Sequence, residues 1–203
     1  MNRQILPNQN KKEYRNLNDK YLTPLSLVEQ LLSHIELDKA ASILEPCCSV
    51  EKSIIQVLEQ NGFTNLTANV YNPEIPSTDF LLFNTETKYD YIITNTPYGD
   101  KEITKFILKM KHIVNKQIIC LYPLSILQGI KRYKQIWCDK IFPLKEVLLF
   151  VRPPFLTDTI NANGKYKTGM TFYAWFIWEK GYIGQIQFRH INNQDFCMKK
   201  KEC

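Results

Sequence analysis

Two tetrapeptides in this sequence place reactive and hydrogen-bonding residues where an α/β protein binds its ligands. Glu45-Pro46-Cys47-Cys48 follows the short apolar run Ser42-Ile43-Leu44, and Asn95-Thr96-Pro97-Tyr98 follows the apolar run Tyr89–Thr94. Short apolar runs of this kind are typical of buried strands. In an open α/β sheet, ligands bind outside the carboxyl ends of the strands, at the point where the strand order reverses. We therefore expect both tetrapeptides to face one crevice.

Helices are predicted wherever apolar residues recur at helical spacing. The first would be capped by Thr23, with Pro24 in its first turn, and Gly62 is placed to end the second. The apolar spacing marks four helices, near residues 28–35, 54–58, 103–110 and 133–137. The first would precede the first strand, and the others would lie between strands of the sheet.

Apolar and aromatic runs separated by turn residues predict the strands. They fall at residues 42–44, 65–71, 79–83, 89–94, 117–122, 147–151, 172–178 and 182–191. Strands alternating with helices predict an α/β fold with a mostly parallel, doubly wound sheet. The last two strands have no helix between them, so they predict an antiparallel hairpin at one edge. This domain would span residues 21–191, between a polar N-terminal arm at 1–20 and a polar tail at 192–203.

Composition excludes several classes of protein. The 203 residues include 44% hydrophobic and 23% charged residues with a net charge of +6, which suits one globular domain and excludes a disordered chain. No run approaches the roughly 18 apolar residues of a membrane-spanning helix, and the first residues lack the apolar stretch of a signal peptide. The six cysteines form no C-x-x-C pair. We therefore expect a cytoplasmic protein with reduced thiols and no metal site.

The second tetrapeptide, Asn95-Thr96-Pro97-Tyr98, resembles the Asp/Asn/Ser-Pro-Pro-Tyr/Phe/Trp signature of amino-group DNA methyltransferases. Other segments resemble further blocks of that family, and they occur in the family's order. They are Tyr21-Leu22-Thr23-Pro24, Ile43-Leu44-Glu45-Pro46, Asp79-Phe80 and the segment 173–181, the last being similar to the closing strand of adenine-N6 DNA methyltransferases of phages and mobile elements. The resemblance implies a Rossmann-like methyltransferase fold and covers most of the chain.

The resemblance also implies a cofactor, a substrate and the residues that serve them. The cofactor would be S-adenosyl-L-methionine and the partner would be DNA, with the target adenine flipped out of the duplex. The residues implied to hold the cofactor are Tyr21, Thr23, Pro24, Glu45, Pro46, Cys47, Asp79, Phe80 and Asn95. The residues implied to act on the base are Asn95, Thr96, Pro97 and Tyr98.

The chemistry of adenine N6 explains these residue types. The amino nitrogen is a poor nucleophile because its lone pair is delocalised into the ring. Hydrogen bonds from the amino group to the Asn95 side chain and the Thr96 carbonyl would favour a pyramidal nitrogen aimed at the methyl group. Pro97 would stiffen the turn, and Tyr98 would stack on the flipped base. Thr96 replaces the usual proline, but the group required there is a backbone carbonyl.

The cofactor blocks depart from the family pattern in two places. The Gly-x-Gly that follows Glu-Pro in the family is replaced by Ser49-Val50-Glu51, and Val70 stands where an acidic residue usually ends the second strand. Val50 and Glu51 would bring side chains into the space of the cofactor, which predicts weak binding. Two other functions therefore stay open. One is an inactive relative that binds nucleic acid or a protein partner, and the other is a methyltransferase of RNA or of protein amides.

Overall fold

The computed structural model of the protein describes residues 23–72, 74–98, 102–151 and 171–192. The predicted arm at 1–20, Tyr21 and almost all of the predicted tail lie outside these residues. Within them, one sheet has seven strands in the order β2-β1-β3-β4-β6-β5-β7. The strands are β1 (Ile43–Cys48), β2 (Leu66–Val70), β3 (Tyr89–Thr94), β4 (Val114–Pro123), β5 (Leu144–Phe150), β6 (Tyr173–Glu179) and β7 (Gln187–Ile191).

Helices cover both faces of this sheet. They are α1 (Leu25–His34), α2 (Ser53–Gln60), α3 (Glu102–Ile113) and α4 (Ile130–Arg132), the last continuing into a π-helical turn (Tyr133–Trp137), with short 3-10 turns at Pro76–Thr78 and Leu124–Leu127. The four predicted helices are confirmed. Gly62 has φ +84°, a conformation that glycine adopts freely, and follows the C-cap of α2 as expected.

Alternation along the strands divides the core into two layers. Leu44 and Ile92 pack with α3 on one face of the sheet, whereas Ile43 and Ile93 pack with α1 and α2 on the other. Burial on both faces explains why the central strands consist almost entirely of apolar residues. The doubly wound α/β fold is thereby confirmed.

The strand directions confirm a mostly parallel sheet and correct the predicted hairpin. β1, β2, β3 and β4 are parallel, and β6 runs antiparallel between β4 and β5. Because both edges of β6 are already paired, β7 cannot form a hairpin with it. β7 instead lies at the edge of the sheet, parallel to β5. The antiparallel neighbours are therefore β4–β6 and β5–β6, and the predicted last strand is shortened to Gln187–Ile191.

The predicted strand at 79–83 is wrong, because Asp79 organises these residues into turns. The backbone amides of Leu82 and Phe83 donate to Asp79 O at 2.8 Å, and the Leu81 amide donates to Asp79 Oδ1 at 2.9 Å. A side chain that bonds the backbone two residues further on favours a turn over a strand. The segment therefore contributes no strand to the sheet.

The predicted cap of α1 is also wrong. Pro24 occupies the N-cap position, and α1 has no side-chain cap. The Thr23 hydroxyl instead accepts a hydrogen bond from Asn95, which follows β3. The absence of a side-chain cap costs on the order of 1 kcal/mol of helix stability. Thr23 therefore stabilises the end of β3 rather than the start of α1.

In the part of the chain that the structure describes, no helix combines the length and apolar character needed to cross a membrane.

Candidate active site

The carboxyl ends of β1 and β3 are neighbours, as the two tetrapeptides predicted. β1 pairs in parallel with β3 through Ile43–Tyr91 and Leu44–Ile92. β1 extends to Cys48, so Glu45-Pro46-Cys47-Cys48 belongs to the strand, with a shift in its register to β2. Asn95 follows the last residue of β3. These two strand ends form the base of the candidate site.

The Asn95 amide is held at both of its ends. Its Nδ2 donates to Thr23 Oγ1 at 3.1 Å, and its Oδ1 accepts a hydrogen bond from the Tyr98 hydroxyl. The nitrogen therefore faces α1, while the oxygen faces the aromatic side of the site. This arrangement presents a carbonyl-type acceptor just beyond the end of β3, the position at which the sequence predicted an acceptor for an amino group.

Thr96 is locked beneath the site by a residue that sequence reasoning missed. Its side chain is buried, and its Oγ1 shares a hydrogen bond of 2.8 Å with the hydroxyl of Tyr122 on β4. Burial raises the pKa of Tyr122 well above its ordinary value, so the phenol stays neutral. The position of Tyr122 at the end of β4, directly before Pro123, is the signal that could have identified it.

Tyr98 forms the aromatic wall of the site. Its ring centroid lies 6.2 Å from that of Tyr122, edge to face, and 5.7 Å from that of Tyr173 at the start of β6. Tyr98 is half-buried. Its hydroxyl donates to Asn95 Oδ1, so Tyr98 lies directly beside the acceptor that a ligand would use.

Glu45 is a buried carboxyl group at the carboxyl end of β1. It is 4% exposed, and its Oε2 atom has no hydrogen-bond partner. Burial raises the pKa of Glu45 to about 7, and hydrogen bonds from the Cys48 side chain and the Ile55 backbone oppose that rise. An unpartnered buried oxygen is costly in free energy, so Glu45 is suited to a ligand that brings a hydrogen-bond donor.

The loop after β1 leaves exposed both side chains that were predicted to obstruct the cofactor space. Val50 is 76% exposed and Glu51 is also exposed. The Lys52 amide donates to Ser49 O at 3.1 Å and closes a turn, and Lys52 has φ +53°. A residue other than glycine therefore adopts the left-handed conformation in this loop, and obstruction of the cofactor space by Val50 and Glu51 stays a prediction.

The segment at Asp79-Phe80 is joined to β1 through Asn69, a second residue that sequence reasoning missed. Asn69 Nδ2 donates to Pro46 O at 2.9 Å and to Thr78 O at 2.8 Å. The Phe80 ring is buried and stacks on Phe106, with centroids 5.9 Å apart. Phe80 therefore anchors this segment in the core, whereas Asp79 is only half-buried.

The structure thus brings together most of the sequence-predicted residues. Thr23, Asn95 and Tyr98 form one hydrogen-bonded group, with Thr96 and Pro97 in the same turn. Glu45, Pro46 and Cys47 lie on the adjacent strand, and Pro24 starts α1. Tyr21 lies outside the described residues. Nowhere in the described ranges do three His, Cys, Asp or Glu side chains form a group that could hold a metal ion.

Cys47 lies at the centre of this strand end as a neutral thiol. Burial is the main cause that raises its pKa well above its ordinary value, and the nearby Glu45 carboxylate adds to the rise. A thiolate is the nucleophilic form of cysteine. Cys47 therefore contributes packing here rather than a nucleophile.

Comparison with curated proteins identifies two relatives. The chain is 29% identical over 164 residues to the type II methyltransferase M.HincII of Haemophilus influenzae. The aligned region covers 72% of this chain and 30% of the relative. Its likeness to the type II methyltransferase M.HindII of the same species has the same identity and covers 29% of that protein. The chain thus spans less than a third of the length of these relatives. No protein-family profile matches the sequence.

Solved structures with the same fold include two groups of methyltransferases. A chain from Listeria monocytogenes, assigned to the class I S-adenosylmethionine-dependent methyltransferases, has a TM-score of 0.62 at 15% identity and covers 87% of this chain and 68% of its own. The type I restriction–modification methyltransferase subunit from Streptococcus thermophilus has a TM-score of 0.56 at 11% identity. It covers 84% of this chain and 47% of its own. The protein therefore has the fold of class I S-adenosylmethionine-dependent methyltransferases and is related in sequence to type II methyltransferases.

Proposed function

We propose that this protein transfers the methyl group of S-adenosyl-L-methionine to the N6 amino group of adenine in DNA. The observation that carries the proposal is the Asn95 amide, fixed at the carboxyl end of β3 between Thr23 and Tyr98. The sequence similarity to type II methyltransferases supports DNA as the substrate. A DNA substrate fits the cytoplasmic location that the sequence predicts.

The residues of β1 fit the proposed cofactor. The unpartnered Oε2 of Glu45 is a buried acceptor on β1, and Glu45 is among the residues that the resemblance implies to hold the cofactor. An ammonium group is a suitable donor for a buried carboxylate, because charge-assisted hydrogen bonds offset the cost of desolvation. When bound, the cofactor supplies an electrophilic methyl group on its sulfonium centre.

The turn after β3 would hold the amino group of the base. Asn95 Oδ1, which also accepts a hydrogen bond from Tyr98, and the Thr96 carbonyl would each accept a hydrogen bond from N6. Both acceptors are preorganised: Asn95 by Thr23, and Thr96 by its hydrogen bond to Tyr122. Preorganised acceptors lower the barrier because they need no reorientation during the reaction.

Tyr98 would contribute its aromatic ring when the base enters. The ring packs against Tyr122 and Tyr173, and the flipped base would stack beside this aromatic group. Aromatic stacking on an unpaired base contributes about 1–3 kcal/mol. The Tyr98 hydroxyl, which donates to Asn95 Oδ1, would keep the ring next to the acceptor that binds N6.

The test is transfer of labelled methyl groups to adenine-containing DNA, with the product nucleosides identified by mass spectrometry. We expect N6-methyladenine from the parent protein and none from Asn95→Ala. Asn115→Ala is the matched control, because Asn115 is exposed near the amino end of β4, away from the site. Full activity of Asn95→Ala, or a methylated product other than N6-methyladenine, would contradict the proposal.

A further inference from the structure

A basic and aromatic surface adjoins the candidate site. We name it the α4 surface and define it by its exposed residues Leu127, Ile130, Lys131, Tyr133, Lys134 and Phe172. Ile130, Tyr133 and Phe172 are 79%, 62% and 67% exposed. Large apolar side chains that are this exposed, two of them next to lysines in the sequence, indicate a contact surface rather than an ordinary solvated helix.

The α4 surface begins at the site end of the sheet. The Leu124 amide, directly after β4, donates to Phe172 O at 2.9 Å, and the next residue, Tyr173, packs against the Tyr98 ring. The Trp137 ring stacks on Trp178, and Trp178 pairs with Ile118 in the middle of β4. Between Leu124 and Trp137 the chain therefore runs back from the end of β4 towards its middle. Residues 127–134 therefore lie along the half of the sheet nearer to the site.

The charge of this surface is positive only. Residues 124–138 contain Lys131, Arg132 and Lys134 and no acidic residue. The next residue, Asp139, forms a 2.6 Å ion pair with Lys111 on α3 and so does not neutralise the two exposed lysines. A surface of this charge favours a polyanion.

We propose that the α4 surface binds unpaired nucleotides of the DNA strand that flanks the target base. Lysines that contact phosphates, interleaved with exposed aromatic rings on which bases stack, are the physical basis of single-strand binding. A fully paired duplex hides its base faces, so it could use the lysines but not Tyr133 and Phe172. The inference rests on the proposed function for DNA as the ligand, and it adds a preference for unpaired strands.

The experiment measures binding of fluorescein-labelled DNA to the full chain by anisotropy, without cofactor. The probes are a single-stranded oligonucleotide and a hairpin duplex of the same composition. We expect the parent to prefer the single strand. Tyr133→Ala and Phe172→Ala should each weaken single-strand binding about tenfold, with little effect on the duplex.

The lysines have a separate readout. Lys131→Ala/Lys134→Ala should weaken binding of both probes. The slope of the logarithm of the single-strand binding constant against the logarithm of the salt concentration should become shallower by about 1.4, which is about 0.7 for each lost phosphate contact. The matched controls are Lys39→Ala/Lys88→Ala and Phe188→Ala. Lys39 and Lys88 precede β1 and β3 at the opposite end of the sheet, and Phe188 is an exposed ring on β7.

The outcomes separate this inference from the proposed function. The inference would be overturned, even with methyl transfer intact, if the α4-surface variants bind the single strand as the parent does. It would also be overturned if the parent prefers the duplex. Loss of single-strand binding in the α4 variants alone would support it even if no methyl group is transferred.

Discussion

The Asn95 side chain donates a 3.1 Å hydrogen bond from Nδ2 to Thr23 Oγ1, and this bond joins the end of β3 to the residue before the N-cap of α1. An asparagine offers an acceptor at only one end of its amide, whereas an aspartate offers one at both. A donor–acceptor contact that fixes the nitrogen therefore also fixes the oxygen. Thr23 is in this sense a positioning residue for Asn95.

Replacement of Thr23 by valine tests this role. Thr23→Val keeps the shape of the side chain but removes the acceptor. The Asn95 amide then loses a hydrogen bond that contributes about 1 kcal/mol to holding its orientation. We expect kcat for methyl transfer to fall about fivefold to tenfold, with a smaller change in KM for DNA. Steady-state kinetics check this. Thr23→Ser, which keeps the hydroxyl, should retain most of the activity, and equal losses in both variants would contradict the role.

Glu45 makes stability depend on pH. The carboxyl has a pKa of about 7 in the folded protein against 4.5 as its ordinary value. Since the folded pKa is raised, the unfolded chain loses its proton first as the pH rises. The contribution of Glu45 to stability is therefore greatest below about pH 4.5 and is lost as the pH rises towards about 7, by about 3 kcal/mol in total.

Glu45→Gln removes this titration. We expect the variant to gain stability relative to the parent as the pH is raised from 5 to 7.5, which denaturant unfolding at each pH would measure. The same change should weaken binding of S-adenosyl-L-methionine at pH 7.5 in calorimetry, because the proposed ammonium partner loses its carboxylate. A stability difference that does not vary with pH would contradict the buried, titrating carboxyl. Asp90→Asn is the control, since hydrogen bonds lower the pKa of that half-buried carboxyl.

Much of the fold was predictable because its signals are local. Apolar runs such as Tyr89–Thr94 and turn residues such as Gly62 are recognised by residue type and spacing alone, which the sequence shows directly. The segment at Asp79 was predicted as a strand because apolar spacing does not show the hydrogen bonds that the Asp79 carbonyl and side chain accept from the residues after it. The place of β7 depended on which strand edges were already paired, a property of the whole sheet.

The site was predictable in its residues but not in its contacts. The resemblance gave Asn95 and Tyr98, yet nothing in the spacing showed that one donates to the other. Tyr122 and Asn69 were missed because each acts through a partner far away in sequence. The exposure of Val50 depends on the backbone angles of the loop, which the sequence does not display.

Lys52 provides a test of backbone strain in the loop after β1. Its φ of +53° and ψ of +36° lie in the left-handed region, which costs a residue other than glycine about 1–2 kcal/mol. We expect Lys52→Gly to raise the free energy of unfolding by about 1 kcal/mol. Glu51→Gly is the control and should not stabilise the protein, because it adds chain freedom without relieving strain. A larger gain from Glu51→Gly than from Lys52→Gly would contradict this interpretation of the loop.

Gly129 fixes the turn that leads into the α4 surface. Its φ of +124° is rare for L side chains, and an added Cβ would lie 3.1 Å from Arg132 Nη2. We expect Gly129→Ala to lower the free energy of unfolding by about 1–3 kcal/mol, measured by denaturant unfolding. Gly181→Ala is the matched control, since Gly181 has φ +72° with open space around it. A smaller cost at Gly129 than at Gly181 would show that the turn relaxes around the new side chain.

The hydrogen bond between Thr96 and Tyr122 explains how this chain tolerates threonine in place of the second residue of the family signature. A proline at position 96 would leave the buried Tyr122 hydroxyl without its 2.8 Å partner. The loss of one partner from a buried pair costs about 1–3 kcal/mol, whereas removal of both polar groups is close to neutral. We therefore expect Thr96→Pro alone to destabilise the protein by about 2 kcal/mol.

A double-mutant cycle completes the test, because it separates the pair from its members. Tyr122→Phe should cost about 1 kcal/mol, and Thr96→Pro/Tyr122→Phe should be more stable than Thr96→Pro. The measurement is the free energy of unfolding of the parent, both single variants and the double variant. The double variant should keep part of the methyl transfer, since proline retains the backbone carbonyl of residue 96 but not the hydrogen bond to Tyr122 that orients it. Additive losses would show that Tyr122 does not depend on Thr96, and the threonine would then be incidental rather than a partner of β4.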